Sequence, residues 1–266
     1  LQFEYRHVRA ELMRPEQLRR CREQADIAFL PLGSIEWHGL QNPIGVDALA
    51  SYHVCCLAAD KLGGGAVFPP VIWSLPRDSF YVDSRDGVYE EAAEALGTDS
   101  QRVKGITTHG GMDMQEQWLN YQRVVRMSLE QIAGYGFKSI FLVSGHAPII
   151  HFIRPVAVAF ARATQMAGYP VTTDFGGEWD PAGLHADHGG PIETSAMMSI
   201  DDTLVDMETL KRQPEYIGVG AGPDAVNASK EKGDQWLEAC AVGLAREAQW
   251  LVENYPELPE RHHHLR

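Results

Sequence analysis

The chain has 266 residues, 44% apolar and 22% charged, with 36 acidic against 23 basic side chains and a formal net charge of −13. That length supports a full apolar core without disulfide staples. The acidic excess opposes phosphate backbones and anionic bilayers, so the composition speaks against nucleic acid and membrane as partners.

In chain order, the opening LQFEYRHVRAELMR has no apolar signal-peptide core, and no later run approaches the roughly 20 apolar residues of a membrane span. Residues 27–32 (IAFLPL) form a short apolar run ending at Gly33, the pattern of a buried strand. Residues 47–62 read as a helix stopped by the glycines at 63–65. A second strand is expected over 66–72, weakened at its centre by Pro69 and Pro70. Over 115–133, Trp118, Tyr121, Val125, Leu129 and Ile132 recur at steps of three and four, the spacing of one helix face. A strand over 139–143, a helix over 149–166, a short strand over 171–174 and a helix over 236–252 complete the series. Such alternation predicts an α/β fold with a mostly parallel sheet. The four cysteines (Cys21, Cys55, Cys56, Cys240) form no Cys-x-x-Cys pair, which points to a reducing, cytoplasmic setting. His262, His263 and His264 read as a solvated tail.

Ligands of parallel sheets sit beyond the carboxyl ends of the strands, and three polar segments draw attention there. Glu36 and His38, two apart after the first strand, can present a carboxylate and an imidazole to one side. Asp47 opens the next helix, where it is either a bridging carboxylate or an ordinary N-terminal acid. His146 follows Gly145 at the end of another strand, and is either a ligand or a histidine satisfied by backbone. Finally, His188 and Glu193 flank Gly189-Gly190-Pro191 ahead of a helical stretch. Glu193 can complete a metal shell there, or simply favour the helix dipole. Mixed histidine and carboxylate donors suit Zn, Mn or Fe.

The stretch from Leu32 to Gly39 (LGSIEWHG), with Gly45-Val46-Asp47, closely resembles the creatininase-family pattern P-x-G-S-x-E-x-H-G … G-x-D. Val143-Ser144-Gly145-His146 resembles that family's strand ending in N-G-H, and His188 to Ser195 its H-A-G-x-x-E-T-S segment. The resemblance implies a single three-layer α/β/α domain over 1–266 and a homo-oligomer, a state that is often hexameric in that family. It also implies two divalent metal ions per chain. Carried over residue by residue, Glu36 and His146 hold one ion, His38 the other, and Asp47 bridges them. Glu193 is then the remaining carboxylate ligand, and His188 the acid/base histidine.

Departures from the pattern qualify the substrate. The family's N-G-H-G-G-N is here Ser144-Gly145-His146-Ala147-Pro148-Ile149, and Pro148 stands where creatininase carries a metal-binding glutamate. Pro191 occupies a position that is often acidic. Residues 77–111 look like an insertion beside the site, where Tyr81, Asp83, Arg85 and His109 either face substrate or belong to an ordinary solvated loop; Trp179 either walls the pocket or plugs a subunit contact.

The expected reaction is hydrolysis of a small cyclic amide or related cyclic carbonyl by a metal-bridging hydroxide, with His188 protonating the leaving atom. Two rivals stand beside it. One is a metal-dependent isomerase, lyase or C–C hydrolase acting on a polyhydroxylated cyclic ketone. The other is a catalytically inactive metal-binding homologue.

Overall fold

Alternate residues of the central strands divide between two apolar cores, as the period-2 pleat requires. Ile27, Phe29, Phe141 and Val143 enter one core, and Ala28, Leu30, Leu32, Ile140 and Leu142 enter the other. The computed structural model describes residues 5–74, 88–100, 114–164, 167–171, 187–212 and 222–254. Within them, β1 (Ile27–Leu32), β2 (Ala66–Val67), β3 (Ser139–Ser144) and β4 (Ala167–Val171) form one parallel sheet in the order β2-β1-β3-β4.

Helices cover both faces, giving the three-layer α/β/α architecture. On the first face, α2 (Val46–Leu62), α6 (Pro191–Ile200) and α8 (Lys230–Asn254) supply Val46, Val54, Ala196, Met197, Trp236 and Leu244 to the core. On the second, α4 (Met114–Gly134) buries Trp118, Tyr121, Val125, Leu129 and Ile132, the periodic face read from sequence. Beside it, α5 (Ile150–Thr164) contributes Ile153, Ala157 and Phe160. Three further helices lie around this frame: α1 (Pro15–Gln24), α3 (Val88–Leu96) and α7 (Met207–Arg212). No helix among the described residues is long and apolar enough to cross a membrane.

Several boundaries differ from expectation, and the last helix begins at Lys230 instead of 236. The second strand is only Ala66–Val67, because Pro69 and Pro70 interrupt it; the chain returns to the sheet by a single bridge between Leu32 and Val71. The fourth strand begins at Ala167, not 171, and the helix before it ends at Thr164. Gly168 and Pro170 make that segment look unsuited to a strand. Among the described residues β4 pairs with β3 alone, so Pro170 interrupts no second ladder there.

Candidate metal centre

The site forms where β1 and β3 end side by side. Leu32 pairs with Ser144 in the last rung of their ladder, and Gly145 N–H donates to the Leu32 carbonyl at 2.8 Å. Glu36 and His146 emerge just beyond. The Ser144 hydroxyl donates to the His146 carbonyl (2.8 Å) and accepts from the His146 N–H (3.1 Å), fixing the turn that aims the imidazole.

Asp47 arrives from the first turn of α2, which packs against Gly33. A Cβ on Gly33 would lie 2.5 Å from the Ala48 nitrogen, so only glycine lets the helix approach this closely. Negative charge is also favoured at that helix N-terminus. Glu193 comes from the first turn of α6. Asp187 accepts from the Ile192 and Glu193 N–H groups (2.9 and 3.1 Å), capping the helix, and Glu193 Oε2 accepts from the Gly189 N–H at 2.6 Å.

The donor atoms converge. His146 Nδ1 lies 3.2 Å from Glu36 Oε2 and 3.0 Å from Asp47 Oδ2. His38 Nε2 lies 3.0 Å from Asp47 Oδ1 and 3.6 Å from Glu193 Oε2. Two groups that could each hold an ion therefore share Asp47: Glu36, Asp47 and His146 on one side, and His38, Asp47 and Glu193 on the other. A third grouping places His188 with Glu36 and His38. The His188 and His38 rings sit 4.4 Å apart, and His188 also hydrogen-bonds the backbone of Trp37.

His38 Nδ1 lies 3.0 Å from the Glu36 carbonyl. A ring N–H donated there leaves Nε2 bare and facing the carboxylates, the tautomer a metal ligand needs. That Nε2, with Asp47 Oδ2 and Glu36 Oε1, is buried without a partner in hydrogen-bond geometry. Buried lone pairs aimed at one another are costly unless a cation lies among them, so this donor set fits divalent metal. Its mixture of oxygen and nitrogen suits Zn or Mn.

Electrostatics agree. Burial alone would lower the His38 pKa, but the charges of Asp47, Glu193 and Glu36 push it up to about 10. Burial likewise opposes protonation of His146, and its contacts with Asp47 and Glu36 overcome that, again to about 10. Burial raises Asp47, yet the two histidines hold it below the usual carboxylate range. Burial pushes Glu193 up to about 8 against the pull of His38, with Asp47 and Asp187 adding to the rise. Without metal, protons on His38 and His146 thus supply the positive charge that the carboxylates demand. His188 is different: burial and the nearby His38 charge lower its pKa.

Six of the residues singled out from sequence (Glu36, His38, Asp47, His146, His188 and Glu193) therefore meet in one place. Tyr81, Asp83, Arg85, His109 and Trp179 lie outside the described residues, as does most of 77–111 apart from α3 and its flanks. Sequence reasoning missed Gln41 and Asn42, whose buried amides bind the backbone of Gly189 and of His38. Their one visible signal is two amides in the loop between Glu36-x-His38 and Asp47.

Fold and site together describe an α/β/α protein with a buried cluster of potential metal ligands. The chain matches the creatininase family model (creatinine amidohydrolase) over residues 11–79 and 100–248, leaving out 80–99 within the 77–111 segment. A curated creatinine amidohydrolase from Pseudomonas putida is 24% identical over 251 residues, covering 82% of this chain and 87% of its own. A solved creatininase designated Mn superposes with a TM-score of 0.68 at 21% identity, over 92% of this chain and 98% of its own. A mutant creatininase of Zn–Zn type has the same TM-score at 20% identity, over 92% and 98%. The chain belongs to the creatininase family, whose homologues are amidohydrolases acting on C–N bonds.

Proposed function

We propose that this chain is a dinuclear-metal amidohydrolase that opens a small cyclic amide or related cyclic carbonyl compound. The observation that carries this reading is the pair of three-residue ligand sets sharing Asp47. Glu36 and His146 would hold one ion, His38 and Glu193 the other, and the two oxygens of Asp47 would serve both. When bound, divalent ions would lower the pKa of a coordinated water and polarise the substrate carbonyl.

The remaining chemistry belongs to the protein. His188, its pKa lowered by burial and the His38 charge, is kept neutral near pH 7, so it can accept a proton from water and pass it to the leaving nitrogen. Its bond to the Trp37 backbone holds the ring over the site, and burial of the surrounding side chains keeps bulk water from competing. Pro148 supplies no donor, and Glu193 takes the role of the remaining carboxylate, which makes creatinine itself one candidate among related rings. The absence of a disulfide among the four cysteines supports a reducing, cytoplasmic setting, and the family resemblance supports a homo-oligomer.

The test is ring opening in heavy-oxygen water, run over a panel of cyclic amides that includes creatinine, on protein of known metal content. Label in the opened product with two ions per chain is expected. Turnover without label incorporation, or turnover unaffected by Asp47→Ala, overturns the proposal.

A further inference from the structure

His38 and Glu193 reach the centre from segments that share no strand pairing, and the first hydrogen bond joining those segments links residues 148 apart in sequence. Their meeting depends on a close backbone crossing. Gly189 has φ +62°, and a Cβ there would lie 2.7 Å from the His38 carbonyl oxygen. Side chains grip this crossing from both sides. Asn42 Nδ2 donates to the His38 carbonyl at 3.1 Å and to Thr194 Oγ1 at 2.9 Å. Gln41 Nε2 donates to the Gly189 carbonyl at 2.8 Å, and the Thr194 hydroxyl donates to the same carbonyl at 3.3 Å. The Gly189 N–H in turn donates to Glu193 Oε2. A continuous chain of bonds thus runs from the backbone of one ligand to the carboxylate of the other.

We propose that Gln41, Asn42 and Thr194 form a buried staple that sets the spacing of His38 and Glu193, and so controls occupancy of that ion site alone. These are positioning residues. All three are buried and uncharged, so they act through geometry and leave the charge of the centre unaltered. Gln41 Oε1 and Asn42 Oδ1 are buried without hydrogen-bond partners. A buried amide oxygen left unsatisfied carries a desolvation cost, which the placement of its nitrogen in this crossing accounts for. The other ligand set has no need of a staple: Glu36 and His146 follow strands already locked in register.

The inference rests on the two-ion reading, and the experiment separates the two. Metal-free protein is titrated calorimetrically with Mn²⁺, and the bound metal is counted by elemental mass spectrometry. The wild type should take two ions. Thr194→Val, of the same shape but without the hydroxyl, should keep one ion at wild-type affinity and weaken the other roughly 10–100-fold. Thr194→Ser should restore it. Asn42→Leu, of similar shape but without the donor, should match Thr194→Val. Two ions of unchanged affinity in Thr194→Val and Asn42→Leu overturn the staple while leaving the dinuclear reading intact. Equal weakening of both ions overturns its selectivity. Fewer than two ions in the wild type overturns the dinuclear reading and the staple with it.

Discussion

The two halves of the candidate centre are built by different means. Glu36 and His146 follow adjacent parallel strands whose ladder runs from Ile27–Ser139 to Leu32–Ser144, so one backbone register places both. His38 and Glu193 have no such ladder, and their approach depends on buried side chains and a glycine crossing. A sheet positions a ligand pair with main-chain bonds that almost any sequence can make. A pair outside the sheet needs particular side chains, each a point of failure. Asp47 belongs to both halves and is placed by a third device, the contact of α2 with Gly33.

The largest effect should come from the shared residue. Asp47→Ala should abolish binding of both ions in elemental analysis and lower turnover by at least about 10³-fold, since metal stabilisation of developing charge is worth several kcal/mol. Retention of one ion would break the idea of a bridge. Next in size are the unshared ligands: His146→Ala and Glu193→Ala should each remove one ion, and the double variant both. The halves become distinguishable if Mn²⁺ titration shows that each single variant leaves the opposite site at wild-type affinity. A variant of either kind that loses both ions would mean that the centre assembles as one unit.

The same contrast governs what was legible in the sequence. The strand-end half can be read because an apolar run followed by glycine and polar residues marks both a strand and the chemistry beyond it, as at Ile27–Leu32 and Ser139–Ser144. The helix face of Trp118 to Ile132 was equally plain, since burial enforces its period. Glu193 and His188 are legible through Gly189-Gly190-Pro191 ahead of a helical stretch, and the motif resemblance gives them their separate roles. Gln41 and Asn42 were not found, because an amide in a loop reads as solvated until a distant segment folds over it. Strand β4 begins at Ala167, four residues before its expected start, because Gly168 and Pro170 argue locally against a strand and pairing with β3 outweighs them.

Two glycine substitutions sharpen the comparison at smaller cost. Gly33→Ala forces a Cβ against the backbone of Ala48, and Gly189→Ala forces one against the His38 carbonyl in a left-handed conformation. Each should destabilise the fold by about 1–3 kcal/mol in urea denaturation, the usual range for overpacking. Their effects on metal should differ. Gly33→Ala displaces Asp47 and should weaken both ions, whereas Gly189→Ala should weaken only the His38 and Glu193 site. The same metal response from both substitutions would show that the halves are not independently held.

The smallest effect is a change of slope with pH. His38 and His146 have folded, metal-free pKa values near 10, above the ordinary 6.5, so their protonation stabilises the fold fully below about pH 6.5. That contribution is lost as pH rises through about 10. Glu193, raised from 4.5 to about 8, acts in the same direction over the lower part of the range, because the folded state holds a proton that the unfolded state has released. Each group changes stability by at most about 1.4 kcal/mol per pH unit while it titrates. His188, with a lowered pKa, opposes this trend only below about 6.5. From pH 7 to 9 the melting temperature of chelator-treated protein should therefore fall. Metal competes with these protons for the same nitrogens and oxygens, so its affinity rises with pH and its stabilising effect grows over the same interval. The gap in melting temperature between loaded and chelated protein should widen steadily from pH 7 to 9. A constant gap would mean that metal displaces no protons, and that the bare donors seen in the fold are not its ligands.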